Sequence, residues 1–104
     1  MKVLTLKQPW ATLVAEGIKK YEFRSWRTKY RGKLLIHAGS GIDKKEMDKY
    51  KNLNMPFPSK KIIAEKNIAY GDKYRSGYAW KLTNVKKLNI NKSIMDNLAY
   101  GIMI

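Results

Sequence analysis

Apolar and polar positions alternate from the start of the chain. Val3 and Thr5 fall on one side of an extended segment over residues 2–7, with Leu4 and Leu6 on the other, which predicts a partly buried first strand. The period changes at Gln8-Pro9-Trp10. Proline suits the first position of a helix, where its missing N–H is not needed. Trp10, Leu13 and Val14 then share one face of a short helix that Gly17 ends. Alternation resumes at Tyr21: Tyr21, Phe23 and Ser25 lie on one face of an extended segment, Glu22, Arg24 and Trp26 on the other. A basic, aromatic connection from Arg27 to Gly32 leads into a strand over residues 33–38, where Leu34, Leu35 and Ile36 leave neither face polar. Such a strand is expected to be covered on both sides, by a barrel interior and by a helix.

Gly39-Ser40-Gly41 reads as a loop, after which Asp43 is placed to cap a helix over residues 44–53 with Met47, Tyr50 and Leu53 as its buried stripe. Two prolines between residues 54 and 59 break that helix. Residues 61–70 contain a strand around Ile62-Ile63-Ala64, and residues 71–77 read as a polar, charged loop. Residues 78–85 form a clear strand, with Tyr78, Trp80 and Leu82 on one face and Ala79, Lys81 and Thr83 on the other. Residues 88–104 are weakly patterned, a turn or short helix and then a terminal strand near 100–104. About five to six short strands and two short helices predict an α+β fold, a small curled sheet or β-barrel. At 104 residues, with no repeat or linker, the chain is expected to be one domain over residues 1–104.

The net charge of +14 adds a partner class, since it predicts attraction to polyanions, nucleic acid before anionic membrane. No apolar run approaches the roughly 20 residues of a membrane span, and the first residues are too alternating for a secretory signal, so no membrane association and a cytoplasmic location are expected. The absence of cysteine excludes disulfides, thiolate zinc sites and cysteine nucleophiles. His37 is the only histidine, in an apolar strand, and reads as a satisfied core residue rather than a base or ligand. No metal site and no cofactor are expected.

The chemistry concentrates in residues 17–38. Between Lys19 and Lys33 seven cations face one acid, with Tyr21, Phe23, Trp26 and Tyr30 interleaved. Cations that track phosphates and rings that stack bases are what a single-stranded nucleic acid needs. Glu22 and Arg24 share a strand face, with Lys19 and Lys20 at its mouth. Glu22 suits an exocyclic amine or general-base work, and Arg24 suits a phosphate or carbonyl. A structural salt bridge accounts for the same pair equally well. Lys19 is a candidate base or nucleophile if burial and neighbouring cations disfavour its ammonium form, and otherwise a phosphate contact. Trp26 is the stacking candidate. Trp10 and Trp80 read as core, and Ser76 and Tyr78 as weak sources of hydroxyls.

Through Leu4-Thr5-Leu6-Lys7-Gln8-Pro9-Trp10, Gly17-Ile18-Lys19, Glu22, Arg24, Trp26, Arg31-Gly32, Leu35-Ile36-His37-Ala38 and Gly77-Tyr78-Ala79-Trp80-Lys81-Leu82, the chain resembles the ASCH domain family of the PUA-like superfamily. The Gly-x-Lys-x-x-Glu-x-Arg pattern behind a Gln-Pro-Trp helix start carries the likeness, which spans roughly half the chain. The resemblance implies a barrel with a cleft between helix and sheet, lined by Lys19, Glu22 and Arg24. PUA-like relatives bind RNA, and some ASCH-type members are N4-acetylcytidine amidohydrolases or ribonucleases. In the amidohydrolases a threonine stands where this chain has Glu22. Residues 62–71 and 97–101 depart from the family pattern, so a less closed barrel is expected.

Three functions follow. The first is a nucleic-acid-binding module, RNA favoured over DNA, with Lys19, Glu22, Arg24 and Trp26 around a base or nucleotide. Lys20, Arg27, Lys29, Tyr30, Arg31 and Lys33 then extend the contact surface. The second is a small metal-independent hydrolase, a ribonuclease or nucleoside amidohydrolase, with Lys19 and Glu22 moving the proton. The third is an inhibitor or interaction protein that occupies a nucleoprotein partner.

Overall fold

The computed structural model describes residues 2–25, 29–91 and 102–103. Its elements run β1 (Lys2–Gln8), α1 (Trp10–Ala15), β2 (Tyr21–Arg24), β3 (Gly32–Ile42), α2 (Lys44–Asp48), β4 (Lys61–Tyr74), β5 (Gly77–Asn91) and β6 (Ile102–Met103). Among the described residues six strands form one mixed sheet in the order β2-β5-β4-β3-β1-β6. The pairings of β1 with β3 and β6 are parallel, and those of β3–β4, β4–β5 and β2–β5 antiparallel. The sheet is not closed, and among the described residues β2 and β6 are its outermost strands, yet it is curled. The six-residue α1 packs on β1, β3, β4 and β5, and Arg24 Nη2 of β2 donates across to the carbonyl of Thr5 in β1 at 3.5 Å. The fold is the expected α+β arrangement, a loose rather than closed barrel.

The core lies in that curl. Leu4 and Leu6, Leu34, Ile36 and Ala38, Ala64 and Ile68, and Trp80 and Leu82 converge on Ala11, Val14 and Ala15 of α1. A helix of six residues has little intrinsic stability, so this packing is what holds it. Gln8, wholly buried, completes its N-terminus: Oε1 accepts from Thr12 N at 3.0 Å while Nε2 donates to Pro58 O at 2.8 Å. Thr12 Oγ1 donates to Pro56 O at 2.9 Å, which ties the proline segment to the same turn.

Several expectations change. In β1, Val3 and Leu4 are both fully buried, because Leu4 packs in the cluster beneath α1 and Val3 against Leu35 and Ile62 on the opposite face. The apolar β3 is covered on both faces, but the barrel interior and α1 lie on the same side of it. Its opposite face packs Leu35 with Val3 and Ile62 against Leu88. The supposed loop at Gly39-Ser40-Gly41 continues β3 to Ile42. Asp43 does cap α2, accepting from Glu46 N at 3.1 Å, but the helix ends at Asp48. It has no buried residue, and Leu53 is exposed, so nothing apolar extends it.

Residues 71–77 are not a loop. β4 and β5 run to a two-residue turn at Arg75-Ser76, and pairing with residues 77–80 carries Gly71 and Asp72 into the sheet despite their low strand preference. The same pairing carries β5 to Asn91, where a turn or helix was expected to begin. The terminal strand is present as β6, whereas the expected turn over residues 92–101 lies outside the described residues. Among the described residues no helix is long and apolar enough to cross a membrane.

Candidate nucleic-acid interface

Gly17 adopts φ +77°, a left-handed conformation that suits glycine, and its N–H reaches Val14 O at 3.1 Å. Lys19 N then donates to Leu13 O at 3.0 Å, and Lys20 O accepts from Leu82 N at 2.8 Å, which delivers the chain to the edge of the sheet. In β2 the register sets Glu22 opposite Trp80 and Arg24 opposite Tyr78, on the face that looks into the core. Tyr21 and Phe23, opposite Lys81 and Ala79, look outward.

Glu22 is only 8% exposed. Its Oε1 accepts from Phe23 N at 3.1 Å and lies 3.6 Å from Lys19 Nζ and 3.9 Å from Arg24 Nε. Among the described residues no hydrogen-bond partner reaches its Oε2, although that atom is buried. Lys19 Nζ donates to Tyr21 O at 2.6 Å and sits 5.2 Å from the Phe23 ring and 5.8 Å from the Trp10 ring. Burial pulls the Lys19 ammonium below the ordinary lysine range; Glu22 opposes this and Arg24 reinforces it. The three hallmark side chains therefore converge, with one carboxylate between two cations and one carboxylate oxygen still able to accept.

Beside them, Lys19, Lys20, Lys66 and Lys81 line a cavity of about 290 Å³ beyond the end of α1. Lys66 is almost wholly buried, and burial lowers its pKa against the opposing pull of Glu16, with Lys87 adding to the lowering. Lys87 itself pairs with Glu16 Oε2 at 2.6 Å. Sequence reasoning missed Lys66. The signal was its place between Ala64 and Ile68 in a period of two, masked by the default that a lysine faces water.

The remaining candidates are spread out. Lys29, Arg31 and Lys33 are exposed on the connection into β3 and at its start. Tyr30 packs against the core, its hydroxyl donates to Lys33 O, and Lys2 Nζ stands 5.6 Å from its ring. Arg31 Nη1 donates to Tyr30 O at 2.8 Å. Trp26 and Arg27 lie outside the described residues. Trp80 is fully buried, with Tyr78 packed against the same cluster; Trp10 is half-buried against it. His37 is buried, as expected of a core residue, with Nδ1 3.0 Å from Thr5 Oγ1. Among the described residues no group of three or more metal-ligating side chains gathers.

The ASCH domain family model matches residues 4–91. Activating signal cointegrator 1 of Homo sapiens is 34% identical over 74 residues, covering 71% of this chain and 12% of that protein. Its Mus musculus counterpart is 54% identical over 35 residues, 34% of this chain and 6% of that protein. The chain thus spans only a small part of these relatives' length. With the family model covering most of the sequence, and the lysine and arginine of its pattern gathered around the glutamate, the chain belongs to the ASCH domain family, of PUA-like fold.

Proposed function

We propose that this ASCH domain binds nucleic acid, RNA in preference to DNA, and holds a base or nucleotide among Lys19, Glu22 and Arg24. The observation that carries the reading is Glu22 Oε2, a buried acceptor with no hydrogen-bond partner among the described residues, set in a carboxylate flanked by two cations. A buried carboxylate oxygen left without a donor is costly, and an exocyclic amine of a base supplies one. Lys19 and Arg24 take the adjacent phosphate or carbonyl oxygens, Arg24 in its planar, two-pronged way. Lys20 beside β2, and Lys29, Arg31 and Lys33 leading into β3, are exposed and supply further phosphate contacts, and Trp26 and Arg27 belong to the same stretch of sequence. Likeness to Activating signal cointegrator 1 is compatible with this reading, or with binding to a protein.

Binding of a short single-stranded RNA should fall steeply with salt, and Lys19→Ala or Arg24→Ala should each reduce the logarithmic salt slope by about one. Glu22→Gln should weaken strands of cytosine or adenine, whose bases carry an exocyclic amine, more than strands of uracil. A flat salt dependence overturns the phosphate contacts, and equal losses on all bases overturn the role of Glu22.

The lowered Lys19 pKa favours a second reading, a metal-independent hydrolase in which Lys19 takes a proton beside Glu22. RNA or acetylated cytidine should then turn over in chelator, and Lys19→Ala should abolish turnover in a folded protein. Activity that survives the substitution excludes it.

A further inference from the structure

The sheet carries a second constellation on the side turned away from the core. Phe23 is 51% and Tyr74 45% exposed, unusual for large aromatic side chains on paired strands. Their rings meet at 5.2 Å between centroids with a 36° tilt. Arg75 stands 5.2 Å from the Tyr74 ring on one side, and Lys19 5.2 Å from the Phe23 ring on the other. Next along the same face, Lys81 lies 6.0 Å from the Tyr21 ring. The pair borders an open hollow of about 450 Å³, which Arg24 and Ser76 also line. Gly77 makes the meeting possible. A Cβ there would stand 2.5 Å from the Arg24 carbonyl, so only glycine lets the hairpin end lie this close to β2.

We propose that Phe23 and Tyr74 form a stacking platform for an unpaired base of a single-stranded nucleic acid, with Arg75 and Arg24 taking the neighbouring phosphates. The inference rests on the nucleic-acid reading above and adds a subsite beside the Lys19–Glu22–Arg24 cluster. Charge complementarity selects the occupant: an apolar patch meant for a protein has no need of cations at both ends, whereas a strand of nucleic acid presents a flat ring and an anion at every step. Arg24, which stands beside Glu22 and also lines the hollow, joins the two subsites, so one strand spans them.

The test uses the whole chain and two probes of equal length, single-stranded oligouridine and its abasic counterpart. Phe23→Leu and Tyr74→Leu keep an apolar side chain and remove the flat ring, and Tyr74→Leu leaves the Phe23 ring beneath Lys19 in place. Each is expected to weaken oligouridine by about tenfold, leave the abasic strand unchanged, and preserve the thermal midpoint. Wild-type binding to oligouridine that both variants retain overturns the platform while leaving the cleft reading intact. A wild-type protein that binds neither probe overturns both. Equal losses on both probes overturn stacking as well, since the rings would then act without a base.

Discussion

The two faces of the β2–β5–β4 end invert the usual distribution of a folded protein. On the inner face sit a carboxylate and an ammonium, Glu22 and Lys66, both buried beside Trp80 and Ile68. On the outer face of the same strands, Phe23 and Tyr74 stand in water. Burying charge carries a desolvation cost, and leaving a phenylalanine exposed forgoes about 1.5–3 kcal/mol of hydrophobic stabilisation. Neither choice helps the chain fold. The difference teaches that the inner face combines folding with a polar site, whereas the outer face is free of the core and available to a partner.

The largest expected effect breaks this comparison at its floor. Trp80 faces Glu22 across the β2–β5 pair and is fully buried, so Trp80→Ala should lower stability by about 3–5 kcal/mol in urea unfolding. Phe23→Leu, one residue along β2 and outward, should change it by less than about 0.5 kcal/mol. Similar losses for the two would mean that both faces serve the core, and the contrast would be lost.

Much of this arrangement was legible in the alternation. Glu22 and Arg24 on one face and Phe23 on the other follow from a period of two, as do Trp80 and Leu82, because a strand with one buried face fixes its register. Gly17 as a helix stop and Asp43 as a cap were readable from local chemistry alone. What failed depended on pairing and packing that residue type alone does not show. Residues 71–74 read as loop because Gly71 and Asp72 discourage a strand, and pairing with residues 77–80 overrides that. Leu53 read as core because the helical period gives no sign of what a face will pack against. Lys66 sat in a readable pattern, but its identity argued for exposure and the pattern for burial. The pattern prevailed.

That lysine sharpens the comparison through pH. Burial holds the Lys66 pKa below the ordinary lysine value of 10.5, and Lys19 behaves alike. Between each lowered value and 10.5 the unfolded chain binds more protons than the folded one, so stability rises with pH across that window. Below it both states are charged, and the burial penalty is felt in full. Lys66→Met removes the charge with little change in volume. It should be more stable than the wild type at neutral pH and show a shallower rise in thermal midpoint as pH approaches 10.5. Curves for the two proteins that stay parallel would mean that Lys66 is as well solvated folded as unfolded.

The smallest effect belongs to the outer face. Arg75 adopts φ +54° at the β4–β5 turn, a left-handed conformation that costs a non-glycine residue about 1–2 kcal/mol. Glycine relieves that strain but loses more backbone entropy on folding, about 0.5–1 kcal/mol, so Arg75→Gly should raise stability by at most about 1.5 kcal/mol. It should also weaken single-stranded RNA, because the guanidinium beside Tyr74 is gone. Arg75→Lys keeps both the charge and the strain, and should leave stability unchanged while holding most of the affinity. Opposite signs for stability and binding in one substitution are what an exposed functional turn predicts. If Arg75→Gly instead destabilises the protein and binds RNA as before, the turn serves the hairpin and not a ligand.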